Sequence, residues 1–200
     1  MNKFIYQTSL ILFIMLFISC KDSRRVDLDL METGKELFFN KDFDQALLYF
    51  QKSARMNPRN DVSISYIGFC YYHISEPAPA LTNFNKALRL NPSNNIALFG
   101  KSLLIWEMDD YLGAYILLDS VTNLNPKHDK AYYYKALASL QFGDTNHAIK
   151  SLEIAIENAS DYPEPYYLLS SILLNKGQQI VADSLVKLAS NKKVQLLNSP

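Results

Sequence analysis

The stretch Asp42-Phe43-Asp44-Gln45-Ala46-Leu47-Leu48-Tyr49-Phe50-Gln51-Lys52-Ser53-Ala54-Arg55-Met56-Asn57-Pro58 decides how this chain folds. An acidic residue opens it, where a carboxylate caps free amide groups and favours the helix dipole. A small residue, Ala46, is followed four places on by a large one, Phe50. Asn57-Pro58 closes it, because the residue before proline avoids helical geometry. Outward from this stretch the same features return every 34 residues. Alanines stand at Ala46, Ala80, Ala114, Ala148 and Ala182, and large apolar residues at Phe50, Phe84, Leu118, Leu152 and Val186. Upstream of each alanine lies a small residue, in turn Gly34, Gly68, Ser102, Ala136 and Ser170. Two further series keep the register: Leu30, Ile64, Leu98, Tyr132, Tyr166 and Ser53, Ala87, Val121, Ala155, Ala189. The Asn-Pro pair recurs at Asn91-Pro92 and Asn125-Pro126.

Each repeat reads as two amphipathic helices. Apolar and small residues fall at intervals of three and four, as in Ile64, Ile67, Gly68 and Tyr71. The midpoint of a repeat is a turn followed by an N-capping acid, at Asp42, Glu76, Asp110 and Asp144, with Gly143 and Gly177 marking two of the turns. Pro77 and Pro79 fall in a first helical turn, where a missing N–H costs little. The small residues let two helices approach, and the large residue fills the next gap. One repeat cannot bury its own apolar face, so stability requires three or more stacked neighbours. Five repeats are expected, at 27–60, 61–94, 95–128, 129–162 and 163–196, with a tail at 197–200.

This pattern resembles the tetratricopeptide repeat family, whose signature has the same period. Asp42–Pro58 and Asn83-Phe84-Asn85-Lys86-Ala87-Leu88-Arg89-Leu90-Asn91-Pro92 carry the likeness most closely. The resemblance implies an all-α fold, a right-handed α-solenoid of five helix-turn-helix repeats, with a concave groove lined by the first helix of each. Lys101 and Lys135 depart from the pattern, standing where the family places leucine, so their stems are expected to pack while the charged heads reach water. The fourth repeat ends in Ala159-Ser160 instead of Asn-Pro. The last helix is expected to run on through Leu197 as a cap, with Asp183, Lys187 and Lys192 giving it a polar face.

Composition bounds the function. The chain has 20 basic and 20 acidic residues, so it offers no general attraction to nucleic acid. Two cysteines, Cys20 and Cys70, are too few for a disulfide framework. Residues 1–19 have a charged start at Lys3, an unbroken apolar run from Leu10 to Ile18, and the small Ser19. That run is too short to span a bilayer, which needs about 20 residues, and it has the layout of a secretory signal. Leu16-Phe17-Ile18-Ser19-Cys20 resembles the lipobox of bacterial lipoproteins. The resemblance implies cleavage before Cys20 and lipidation of that cysteine, with residues 20–26 as a tether. An uncleaved anchor helix starting at Phe4 is the alternative. Either form keeps the body at a membrane, expected to be the bacterial envelope and facing the periplasm. Lys21 after the cysteine favours the outer membrane by analogy.

With core positions set aside, the groove candidates are Phe38, Phe69, Tyr72, Phe99, Trp106, Tyr133 and Tyr167, with Lys35, His73, Glu107 and Gln141 among them. Aromatic anchors with sparse polar neighbours suit peptide segments. Each ring is as well suited to packing between repeats. The family's clamp for acidic chaperone tails is expected to be absent, since its surface here carries Met31, Tyr66, Phe99 and Gly100. No catalytic, cofactor or metal site is expected: His73, His128 and His147 are scattered, Asp109-Asp110 falls at a capping turn, and Cys70 lies on a core face without a nearby base. The reading is a membrane-tethered scaffold for an unidentified protein or peptide partner. A glycan- or cell-wall-binding accessory protein and a non-catalytic subunit of an envelope assembly are the alternatives.

Overall fold

The computed structural model describes residues 25–158 and 162–198, with side-chain surroundings given for 25–158 and 162–192. The signal segment and Cys20 lie outside the described residues. The described chain is helical: α1 (25–39), α2 (Phe43–Met56), α3 (Asp61–His73), α4 (Pro77–Leu90), α5 (Asn95–Glu107), α6 (Tyr111–Leu124), α7 (Asp129–Gln141), α8 (Thr145–Glu157), α9 (Glu164–Asn175) and α10 (Gln179–Asn198). Odd-numbered helices are the first of a repeat and even-numbered helices the second. The chain divides into two compact units, Met1–Gly100 and Lys101–Pro200, whose border falls inside α5.

The turn within each repeat has one construction. The second residue after the first helix takes the left-handed conformation, at Lys41, Ser75, Asp109, Gly143 and Gly177, with φ of 62, 63, 61, 74 and 78°. The next amide reaches back five residues, closing a six-residue loop: Asp42 N–H to Leu37 C=O, Glu76 to Tyr71, Asp110 to Ile105, Asp144 to Ser139 and Gln178 to Leu173, at 2.8–3.1 Å. This bond satisfies a carbonyl that the helix end would leave unpaired. The sequence placed turns before Asp42, Glu76, Asp110 and Asp144 and marked two positions by glycine; the left-handed conformation of the three non-glycine positions was not legible. Asp42, Asp110 and Asp144 then cap the following helix by accepting from the amide three residues on, at 3.2, 2.8 and 3.0 Å. Glu76 holds the same position but makes no side-chain cap. Asn57, Asn91 and Asn125 end the second helices, and each side-chain oxygen accepts from the amide two residues on.

Packing follows the small-then-large register. Ala46, Ala80, Ala114 and Ala148 are fully buried, as are Phe50, Phe84 and Leu152, with Leu118 nearly so. In the first unit the Phe50 ring lies against Gly34 and stacks on Tyr66 at 4.8 Å. The Phe84 ring lies between Gly68 and Gly100. Burying such a ring contributes roughly 3–5 kcal/mol by the cost of truncation to alanine. Val186 departs from its series at 42% exposed. Among the described residues no helix covers it as α3 covers Phe50, so the sequence register alone does not bury it.

A polar clasp also recurs in the first unit. Asp27 is buried and accepts from Ser53 Oγ, Asn57 Nδ2 (3.1 Å) and Asn60 Nδ2 (3.2 Å). One repeat later Asp61 accepts from Asn91 Nδ2 (2.8 Å) and Asn94 Nδ2 (2.7 Å). Asn60 and Asn94 use their remaining oxygens to cap α3 and α5, through the amides of Ser63 (3.0 Å) and Ala97 (2.8 Å). The clasp thus ties the start of one repeat to the start of the next, and hydrogen bonding offsets the cost of burying its carboxylate. The sequence reading missed it, because the partners lie about thirty residues apart.

In the second unit Lys135 corrects one expectation. Its head does not simply reach water: Nζ pairs with Asp119 at 2.5 Å and lies 5.4 Å from the Tyr115 ring centroid. His128 takes the capping role of Asn60 and Asn94, its Nδ1 accepting from the Ala131 amide at 3.2 Å. Burial holds the imidazole below its ordinary pKa, which keeps that nitrogen an acceptor. The fifth repeat starts with Pro163 as N-cap and Pro165 buried, and α10 runs through Leu197 as expected.

Candidate interaction surface

In the first unit the aromatic residues that the sequence singled out come together. Phe38 sits at the end of α1, where the turn at Lys41 brings Phe43 of α2 back to within 5.3 Å of it. It also meets Tyr66 at 5.4 Å, Phe69 at 6.2 Å and His73 at 5.5 Å, all three edge-on from α3. Phe69 continues the run to Tyr72 (6.5 Å), Phe84 (5.1 Å) and Phe99 of α5 (6.4 Å). Edge-to-face rings contribute about 0.5–1.5 kcal/mol each beyond their area. This is therefore a fixed wall, with little freedom for any one ring to reorient.

Exposure divides the wall. Phe99 is buried, so it anchors the cluster from beneath. Phe38, Phe69 and Tyr72 are half-buried. Phe39, which the sequence reading passed over, is 71% exposed and packs edge-on to Phe38 at 5.9 Å. His73 is exposed and stacked flat on Phe43 at 4.3 Å. The phase of Phe39 beside Phe38 at the end of α1 was visible in the sequence, but its outward direction depends on the turn that follows. Charge on this surface is sparse: Lys35 is neutralised by Glu32 at 2.9 Å.

The remaining candidates lie in the second unit. Trp106 is half-buried and rests 4.7 Å from Tyr111 at the start of α6. Tyr133 packs edge-on against Tyr134 (5.5 Å) and Tyr162 (5.8 Å), and burial raises its pKa, with a smaller push from Glu164. Tyr167 is exposed on α9. Glu107 and Gln141 are exposed at the ends of α5 and α7.

The reactive groups have structural surroundings. Burial pushes the Cys70 thiol up to about 12, with the Asp44 carboxylate adding to it, so the nucleophilic thiolate is suppressed. Asp110 caps α6, and Asp109 accepts from the Tyr111 hydroxyl at 2.5 Å. His147 pairs with Asp144 at 2.5 Å. Among the described residues no group of three or more His, Cys, Asp or Glu is placed to hold a metal ion. The residues at the family's clamp surface are Met31, Phe99 and Gly100, all buried, and Tyr66, packed on Phe50.

No family model matches the chain, and no curated protein matches it. Solved structures do. Pseudomonas aeruginosa PilF has a TM-score of 0.78 at 17% identity, over 86% of this chain and 78% of its own. PilW, a type IV pilus biogenesis factor, has a TM-score of 0.71 at 17% identity, over 84% of this chain and 77% of its own. The first tetratricopeptide repeat domain of Spaghetti (RPAP3), bound to the HSP90 peptide SRMEEVD, has a TM-score of 0.54 at 22% identity, over 60% of this chain and 94% of its own. The fold is that of tetratricopeptide repeat proteins, all-α and built from helix-turn-helix repeats.

Proposed function

We propose that this chain is a membrane-anchored lipoprotein of the bacterial cell envelope that serves as a non-catalytic scaffold, holding a protein or peptide segment on the aromatic surface of its first helices. The observation that carries the reading is the wall of Phe38, Phe69 and Tyr72, flanked by the exposed Phe39 and His73. Rigid aromatic side chains lose little entropy on binding and bury a large area, which is how hot spots work. The Cys70 thiol is buried with a raised pKa, His128 caps α7, His147 pairs with Asp144, and Asp110 and Asp144 cap helices, which supports a binding role for the surface over an activated nucleophile. A peptide-bound relative of the same fold supports this use of it.

The anchoring half of the proposal rests on Cys20 after a short apolar run. No helix among the described residues is long and apolar enough to cross a membrane. The body would then hold to the outer membrane through lipid on Cys20, facing the periplasm, as sequence context favours.

Cross-linking in the native cells, followed by mass spectrometry, tests the scaffold. Wild type is compared with a Phe39→Ser, Tyr72→Ser variant that keeps its helical circular dichroism. A defined envelope protein recovered with wild type and lost with the variant is the expected result. The same set recovered with both would refute the assigned surface. A Cys20→Ala variant is expected to lose radiolabelled fatty acid and leave the membrane fraction; retention of both would refute lipidation. Binding of the wild type to purified peptidoglycan fragments, with no protein enriched, would favour the glycan reading.

A further inference from the structure

We propose that the outward edge of the second unit, formed by Met108, Leu112, Ile116 and Phe142, is a second docking surface, one that takes a cationic amphipathic helix of a partner protein. These four side chains are 69, 59, 58 and 50% exposed. Met108 stands in the turn leading into α6. Leu112 and Ile116 follow at one-turn spacing and so lie one above the other on the same face. Tyr115 lies between them, and its ring packs edge-on to Phe142 at 6.3 Å, which places the α7–α8 turn beside α6.

The fold does not require apolar residues here. The alanine and large-residue series of α6, Ala114, Leu118 and Val121, point inward and are buried, while Leu112 and Ile116 face outward. At the positions equivalent to Leu112 and Ile116 the first repeat has Asp44 and Leu48, the second Ala78 and Thr82, the fourth Asn146 and Lys150, and the fifth Ile180 and Ser184. Among the five repeats only the third has large aliphatic residues at both positions of this face. A contiguous apolar patch with a polar rim marks an interaction surface.

Its rim specifies the partner. Asp109 and Asp110 share the turn with Met108, Asp119 follows Ile116 by one turn on α6, and Asp144 follows Phe142 by two residues. Two lysines, and the His147 imidazole on Asp144, oppose these four carboxylates. Lys135 is largely withdrawn from solvent and paired with Asp119, which leaves Lys150 as the exposed cation of the neighbouring α8. Asp110 and Asp144 cap their helices, and the His147 amide and ring bonds to Asp144 hold its carboxyl below the ordinary value, which keeps it ionised. An apolar stripe inside an acidic rim is complementary to a helix with aliphatic residues on one face and Lys or Arg on its flanks. An anionic bilayer or an acidic peptide would meet repulsion.

The test uses fluorescein-labelled synthetic helices of about five turns, one with a leucine face flanked by lysines and a twin with glutamates for the lysines. Anisotropy titrations run against the full chain, its Leu112→Ser, Ile116→Ser variant and the Phe39→Ser, Tyr72→Ser variant. The lysine peptide is expected to bind wild type at least about tenfold more tightly than its twin, and to weaken several-fold at high salt. The Leu112→Ser, Ile116→Ser variant, whose changed side chains are exposed, is expected to lose about tenfold or more. The Phe39→Ser, Tyr72→Ser variant is expected to bind within about twofold of wild type, so failure of this surface and failure of the first-helix surface are separable. Equal binding of both peptides, or unchanged binding by the Leu112→Ser, Ile116→Ser variant, overturns the proposal. So does a fall from dimer to monomer in that variant by sedimentation, which would make the edge a contact between copies. Flotation with phosphatidylglycerol vesicles that depends on Leu112 and Ile116, without binding of the lysine peptide, would likewise replace the protein partner with lipid.

Discussion

Gly100→Ala is expected to be costly in a way that a second substitution undoes. A Cβ added at Gly100 would stand 2.2 Å from Cζ of Phe84, and one at Gly68 would stand 2.6 Å from Cε1 of the same ring. The ring is fully buried between the two glycines, so it cannot yield toward solvent. Overpacking costs typically about 1–3 kcal/mol, and a contact this short belongs at the upper end. Alanine in place of glycine inside α5 returns about 1 kcal/mol of helix propensity. The net loss is therefore about 2 kcal/mol. Phe84→Leu alone should cost about 1–2 kcal/mol for lost contacts in the core. Leucine lacks the atom that clashes, so the double variant should lose only about 1 kcal/mol, a coupling of about 2–3 kcal/mol. The third repeat already uses such a combination, with Leu118 and Tyr134 at the positions of Phe84 and Gly100. Urea unfolding of all four proteins, followed by helical circular dichroism, gives the cycle. A Gly100→Ala protein as stable as wild type, or a double variant whose loss equals the sum of the singles, would refute the reasoning.

At the repeat turns, Lys41→Gly and Ser75→Gly are each expected to stabilise by roughly 0.5–1 kcal/mol, because both residues hold φ near +60° and the relief of strain exceeds the entropy that glycine adds to the unfolded chain. Gly143→Ala should destabilise by about 1 kcal/mol at the equivalent position; thermal midpoints check all three, and a neutral Gly143→Ala would contradict the account. For His128, burial lowers the folded pKa below the ordinary value, so the unfolded imidazole takes up a proton first. Its contribution to stability is full above the unfolded pKa and is lost as pH falls through the range below it. His128→Asn, which copies Asn60 and Asn94, should flatten that part of the stability profile in denaturation series run at descending pH. An unchanged slope would show that other groups set it.

Features that depend on neighbours along the chain or on strict repetition could be read from the residues alone. Helix starts at Asp42, Asp110 and Asp144 and ends at Asn57, Asn91 and Asn125 were legible because capping is local chemistry, settled within three or four residues. The buried series through Ala46 and Phe50 was legible because four neighbouring repeats impose the same contacts. Where repetition lacks a covering helix among the described residues the inference failed, as at the exposed Val186. Tertiary structure decided the rest. Left-handed turns at Lys41, Ser75 and Asp109 carry no glycine to announce them; the six-residue backbone bonds and the packing of the two helices hold them. The clasp of Asp27 with Ser53, Asn57 and Asn60 joins groups distant in sequence, and no local pattern encodes it. The same holds for the candidate surface. Residue type marked Phe38, Phe69, Tyr72 and Phe99 alike, but only packing buried Phe99 beneath the others and turned Phe39 outward. Periodicity fixes which face of a helix is apolar, whereas the depth of each ring on that face is set by what the neighbouring helices place against it.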